Sequence, residues 1–480
     1  MGLISDLIAR GGLIRGLGRN RVSDDQEALS ADRLFLQAGT LLEARQFAQL
    51  ISLADAMTAG QRARLQADGR LVQLEIWRAL TLLRQGKARS AQTAIASLEH
   101  TAGASHQTRG CAAEVSLYLG RHAEAAQAAQ HAMIGLAPKG GSAQFRALCV
   151  LKAEALCAMG RYREASEFLL ANLRKKALNA REWELLRWTV RSEADLETFW
   201  SYAASYLAKS GPAPRQALYN YSLVCRDLGL FERAVFAAQE RLQHGLAFVQ
   251  AGARKPPRST SWLEDAKRAL LDLKADLSSQ GVEFFLISGT LLGCVREGRI
   301  LGHDKDIDVG LAPGLDKEKV VSALAGGGRF KLKPEQAPVL LRAQHPGGVT
   351  IDLFLHWEED GKLLHGGQKA VWWNSPFMLQ ETEFLGEAFM IPADHDLYLT
   401  ENYGDWRTPA PEFETFVDTP NMVVSHEGHM IWYYYIKLFD YYHAGKLPQM
   451  RRVWEGLNRL HAPPPQIRRR VENVLREQPC

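Results

Sequence analysis

Four aspartates are the residues of this chain best placed to do chemistry. Asp304, Asp306 and Asp308 alternate through His303-Asp304-Lys305-Asp306-Ile307-Asp308-Val309, and Asp352 stands alone in the apolar run Val349-Thr350-Ile351-Asp352-Leu353-Phe354-Leu355. On a strand, residues i and i+2 share a face, so the spacing predicts three carboxylates pointing one way while Ile307 and Val309 face a core. Carboxylates crowded in this manner repel one another, and a divalent cation with oxygen ligands is the usual remedy. A single acid inside an apolar strand is costly to bury unless it is paired or holds a metal. Two acids from one strand and one from a neighbour make a cation cage suited to in-line displacement at phosphorus. An isolated D-x-D is more often a solvated strand end, so the surrounding elements have to decide.

Those elements support the chemical reading. The β-forming run Phe284-Phe285-Leu286-Ile287 stops at Ser288-Gly289-Thr290, helix-tolerant residues follow through Arg296, and the acidic run comes next. The pattern predicts strand, glycine turn, helix, strand. Backbone N–H groups of such a turn can approach a phosphate closely, which makes Ser288, Gly289 and Thr290 candidates for cradling a donor phosphate. Arg296 either pairs with that phosphate in bidentate fashion or forms a salt bridge that orients the aspartates.

Four segments carry a family resemblance: Gly289-Thr290-Leu291-Leu292-Gly293 with Arg296, His303-Asp304-Lys305-Asp306-Ile307-Asp308, Ile351-Asp352-Leu353-Phe354, and Tyr403-Gly404-Asp405-Trp406-Arg407-Thr408-Pro409. In this order they resemble the LicD/fukutin-type phosphotransferases of the nucleotidyltransferase-fold superfamily, over about residues 260 to 445. His303 stands where many members have Trp. The resemblance implies a CDP-activated alcohol donor (choline, ribitol or glycerol class) and a glycan or lipid-linked saccharide acceptor. It implies Mg²⁺ (or Mn²⁺) on Asp304, Asp306, Asp308 and Asp352, with Asp306, Asp308 and Asp352 catalytic. Tyr403 and Trp406 become substrate-side residues on the same ground. The alternatives are transfer of a nucleotide from an NTP and a non-catalytic helical-repeat scaffold in glycan biosynthesis.

Composition narrows the classes further. At 480 residues, 46% apolar and 23% charged, the chain has room for two or three domains. A net charge of +4 gives no case for nucleic-acid binding. Six cysteines without a C-x-x-C pattern read as reduced, buried thiols of a cytoplasmic protein. No run reaches the roughly 18 apolar residues of a membrane span, and no signal-peptide core is evident. The N-terminal arm, residues 1–30, carries arginines and glycines that suit a peripheral contact with the inner face of a membrane.

Between residues 31 and 249 apolar residues recur at helical spacing with almost no strand signal. A glycine precedes an alanine by five at Gly86/Ala91, Gly120/Ala125, Gly160/Ala165 and Gly229/Ala234, at intervals of 34, 40 and 69 residues. Ser192-Glu193-Ala194-Asp195-Leu196 fills the missing register. The turns look like those of tetratricopeptide repeats. The expected fold is therefore α+β: an all-α tetratricopeptide-like superhelix, a Pro- and Gly-containing linker (250–260), a nucleotidyltransferase-like α/β catalytic domain (261–445) and a basic helical tail (446–480). The superhelix would bind a partner protein or glycan, or dock on the catalytic domain. Two hairpins are expected, one turning at Pro346-Gly347-Gly348 and one spanning Ala370 to Ile391 with Trp372-Trp373 in it. His426-Glu427-Gly428-His429 lacks the spacing and third ligand of a zinc site.

Overall fold

A computed structural model describes residues 26–134, 136, 142–173, 178–209, 212–248, 261–302, 304–333 and 338–477. The N-terminal arm falls outside these residues as far as position 25, and the linker 250–260 and His303 fall outside them entirely. Among the described residues from 26 to 248 every regular element is a helix, and a mixed α/β sheet domain follows, as the sequence pattern implied.

The glycine-alanine punctuation is a device for turning helices. Gly86, Gly120, Gly160 and Gly229 end their helices at φ of 74°, 70°, 73° and 75°, a conformation that costs glycine little. The next N–H then reaches back to a carbonyl of the last turn: Lys87 to Leu82, Arg121 to Ser116 and Arg161 to Leu156 at 2.9 Å, Leu230 to Cys225 at 2.8 Å. Ala91, Ala125, Ala165 and Ala234 are fully buried, and their small side chains let each returning helix close on its partner. At the register without glycine, the Ser192 hydroxyl caps the next helix by accepting from the Asp195 N–H, and Leu196 fills the core.

One apolar core joins this helical region to the far end of the chain. Ala234, Ala238 and Leu242 of the helix Phe231–Phe248 pack with Met430, Trp432, Tyr435 and Phe439 of the aromatic helix Glu427–Ala444. The basic tail forms two helices, Leu447–Leu460 and Pro465–Glu477, with the proline run between them. Ile467, Val471 and Leu475, four residues apart, turn its apolar stripe into that same core. No helix among the described residues is long and apolar enough to cross a membrane.

The catalytic-type domain contains β1 (Phe284–Leu286), β2 (Ile307–Leu311), β3 (Lys331–Leu332), β4 (Leu340–Gln344), β5 (Thr350–Leu355), β6 (Trp357–Glu359), β7 (Lys362–Gly366), β8 (Ala370–Asn374), β9 (Leu379–Phe384), β10 (Glu387–Pro392) and β11 (Met422–Val424). Seven make a sheet ordered β3-β4-β5-β2-β1-β10-β9, and four make a second, ordered β11-β8-β7-β6. β2 runs parallel to β5 and antiparallel to β1. The hairpin about Pro346-Gly347-Gly348 forms as expected from β4 and β5. The second does not: β9 and β10 pair over Leu379–Pro392, whereas Trp372 and Trp373 lie on β8 in the other sheet. Alternation alone cannot tell which neighbour a strand will choose.

Ion pairs lock the two regions together. Glu154, on a helix of the N-terminal region, lies 2.8 Å from both Lys331 and Arg181. Burial alone would lift its carboxyl, but Arg181 and Lys331 hold it well below the usual range. Arg84 reaches Asp265 at 3.4 Å and the Gly347 carbonyl at 3.3 Å.

The closest apolar approach is at Gly245, where a Cβ would stand 2.1 Å from the Phe439 ring. Gly245→Ala should therefore cost about 1–3 kcal/mol, read as a fall in Tm. Phe439→Leu in the same chain should recover part of that loss. An unchanged Tm in the single variant would show that the helices are not seated this tightly.

Candidate active site

The site is built where β1 ends. Ser288 takes a positive φ of 49° and opens the short helix Ser288–Leu292, which widens into a π-helical turn at Gly293–Glu297. Two glycines of this helix face the returning chain. A Cβ on Gly293 would meet the Arg299 carbonyl at 2.6 Å, and one on Gly289 would meet the Asp304 carboxylate at 2.8 Å. The spacing of these glycines lets the acidic segment lie directly on the helix. Thr290 completes the seam, its buried hydroxyl accepting the Asp308 N–H at 2.9 Å.

One geometric expectation needs correction. β2 begins only at Ile307, so Asp308 alone of the acidic triplet is on the strand. Asp304 lies outside any regular element, its N–H bonded to the Leu301 carbonyl at 3.2 Å, and Asp306 is exposed within the bend at Lys305 and Asp306. Asp304, Asp306 and Asp352 nonetheless stand close enough for their charges to bear on Asp308. Asp308 and Asp352 stand side by side on parallel β2 and β5. Burial lifts the Asp308 carboxyl well above its ordinary range, and Asp306, Asp352 and Asp304, in that order, raise it further. Arg342 opposes this, directly across the β4–β5 hairpin from Asp352 and 3.2 Å from both of its carboxylate oxygens.

The aromatic turn closes the other side. Tyr403 ends the helix His395–Tyr403, and burial with Asp308, Tyr398 and Asp304 nearby pushes its phenol up. Trp406 is buried and donates through its indole N–H to Asp396 at 3.1 Å. Arg296 does not pair with the aspartates: it donates to the Trp406 carbonyl and to Glu297, each at 3.2 Å, and its buried Nε has no protein partner. Arg296 thus ties the glycine helix to the aromatic turn. Tyr398, buried beside Asp308 and the Ser288 backbone, was not singled out from sequence, and neither was Arg342. Arg342 had a usable signal. Partners across a hairpin centred on Gly347 are symmetric about it, so the residue opposite Asp352 could be counted.

All donors gathered here are carboxylate oxygens, the ligands that Mg²⁺ and Mn²⁺ take. Four carboxylates outnumber the Arg342 guanidinium that opposes them. The donor chemistry fits a divalent cation, although among the described residues no three His, Cys, Asp or Glu side chains are grouped closely enough to hold one.

Because the Asp308 carboxyl is lifted, its ionisation weakens the fold as pH rises through the raised value; stability is greatest below the ordinary carboxylate range. Asp308→Asn should therefore raise Tm at neutral pH in EDTA, and the gain should shrink as pH falls. A lower Tm would contradict the crowding.

Residues 281–394 match the family model described as LicD/FKTN/FKRP, nucleotidyltransferase domain. Ribitol-5-phosphate transferase FKTN of Homo sapiens is 27% identical over 174 residues, 34% of this chain and 38% of its own. The Mus musculus protein of that name is 31% identical over 169 residues, 32% of this chain and 37% of its own. The Macaca fascicularis protein is 29% identical over 166 residues, 32% and 36% of the two chains. The chain spans less than half the length of these relatives. Tyr403 and Trp406 lie beyond the matched residues. Residues 281–394, which carry Asp304, Asp306, Asp308 and Asp352, are thus similar to the LicD/FKTN/FKRP nucleotidyltransferase domain.

Proposed function

We propose that the protein is a divalent-metal-dependent phosphotransferase that moves a phospho-alcohol from a CDP-linked donor to a hydroxyl of a glycan or lipid-linked saccharide. The observation that carries this reading is Asp308, held among three carboxylates with Arg342 opposing them. Phosphoryl transfer asks a protein chiefly for charge neutralisation at phosphorus and an attacking oxygen held in line. A bound Mg²⁺ or Mn²⁺ would supply the neutralisation. Asp306 and Asp308 are its principal ligands in this reading, and Asp304 assists from the segment before the strand. Asp352 either completes the set or takes the proton of the acceptor hydroxyl as that oxygen bonds to phosphorus and the bond to CMP breaks. Arg296, with its unpartnered Nε, serves the donor phosphates beside Ser288 and Gly289. Tyr403 and Trp406 bound the substrate on the aromatic side.

The relatives' name makes ribitol phosphate the first group to test, ahead of glycerol and choline phosphate. The glycine-capped helical hairpins are read as tetratricopeptide-like repeats, and the buried, unpaired cysteines support a reducing, cytoplasmic setting.

With Mg²⁺, one CDP-alcohol should raise Tm, by about 2.7 kcal/mol of stability at a hundred times its Kd. Asp306→Ala should lower transfer by about a hundredfold or more, as EDTA should. Transfer that survives Asp306→Ala or EDTA would end the metal reading. Stabilisation by CTP, ATP, GTP or UTP with none by CDP-alcohols would replace the reaction with nucleotidyl transfer.

A further inference from the structure

A second charged cluster, opposite in sign, lies between the helical region and the site. Arg226 ends the helix Ala213–Asp227, Lys369 lies on the turn between β7 and β8, and His429, Trp432 and Lys437 come from the aromatic helix Glu427–Ala444. The Arg226 guanidinium sits 4.8 Å over the Trp432 ring, which is 5.7 Å from the His429 ring. The Lys369 Nζ lies 4.1 Å over Phe416 and 5.1 Å over Tyr433, and the Lys437 Nζ is 5.3 Å from Tyr433. The Lys369 carbonyl accepts the Ser425 N–H at 3.0 Å, which holds the lysine against the start of the aromatic helix.

These groups are mostly donors without acceptors. Asp227 serves two guanidiniums at once, bonding Arg226 Nε at 2.8 Å and Arg187 at 2.7 Å. Among the described residues neither Lys369 nor Lys437 has a carboxylate within ion-pair distance. Glu414, the nearby acid, is occupied by the hydroxyls of Tyr433 and Tyr441. The indole N–H of Trp432, 4% exposed, and Nδ1 of His429, 7% exposed, are buried without partners. The charges that bear most on Lys369 are those of Arg226, Arg342 and Lys437, against one carboxylate, Asp352. Burial first and those cations next bring its ammonium down to about 7. Burial, Arg226 and Lys369 likewise bring His429 to about 3, so its ring is neutral. Like charges brought together without an acceptor are costly, and a bound anion relieves the cost.

We propose that this cluster binds a phosphate group of a substrate, with Arg226 and Lys369 as its charged ligands and the Trp432 N–H as a directed donor. The helical region then contributes a binding residue to the site rather than only supporting it. The proposal rests on the phosphotransferase reading for which molecule carries the phosphate; the anion site itself does not require it.

The test uses the full chain in EDTA, which keeps cations off the aspartates, titrated with inorganic phosphate by calorimetry. Wild type should bind saturably. Lys369→Gln and Arg226→Gln should each weaken binding by about tenfold or more, the loss of a charge-assisted hydrogen bond. Lys369→Arg should bind, which separates lost charge from lost fold. Asp306→Asn should bind as wild type does while losing transfer, so failure of the anion site and failure of the metal reading are distinguishable. Parallel titrations with CDP-glycerol and glucose 6-phosphate identify the source: whichever affinity falls in Lys369→Gln belongs to the cluster. Absent phosphate binding, equal binding in the Gln variants, or loss in Asp306→Asn would overturn the proposal.

Discussion

The repulsion among four carboxylates is the constraint on which the rest of this domain depends. Asp308 can be half-buried beside Asp352 only because rigid elements hold both acids: parallel pairing of β2 with β5 sets them abreast, and the Thr290 hydroxyl fixes the backbone at Asp308. Arg342 offsets one of the charges. The apo fold is thus left under electrostatic strain that a cation or a proton can relieve, an arrangement common at functional sites.

Glycine does unequal work in the two regions. In the helical region Gly86, Gly120, Gly160 and Gly229 supply a left-handed turn, and a larger side chain there would meet a conformational rather than a steric barrier at Gly120, Gly160 and Gly229. In the site, Gly289 and Gly293 are needed for space, since the Asp304 carboxylate and the Arg299 carbonyl pass where a Cβ would be. The helix that resembles a phosphate cradle in sequence therefore first serves as a bed for the protein's own acidic segment.

The helical region and the sheet domain are joined through charge on one side and apolar packing on the other. Lys331, Glu154 and Arg181 form a buried network, in which removal of one member would strand the others in a medium of low polarity. The aromatic helix lies on Phe231–Phe248 and brings Trp432 under Arg226. A column of rings, Phe285, His356, His365 and Trp372, leads from the sheet core toward this seam, with His356 and His365 kept neutral by burial.

Local information accounts for what was legible in the sequence: the helical punctuation, the strand-turn-helix at Ser288, the hairpin about Gly347 and the four aspartates all depend on residues close in the chain. Counting across that hairpin would also have reached Arg342. Tertiary structure decided the rest. β2 starts only after Asp306, and the Asp304 carboxylate lies against Gly289. β9 chose β10 rather than β8. Arg296 turned to the Trp406 carbonyl, and Lys369 met Arg226 across 143 positions of sequence. A sequence determines which groups a segment offers and how often they recur; which groups from distant segments face one another is decided by how apolar surfaces close, and that is not encoded in any local spacing.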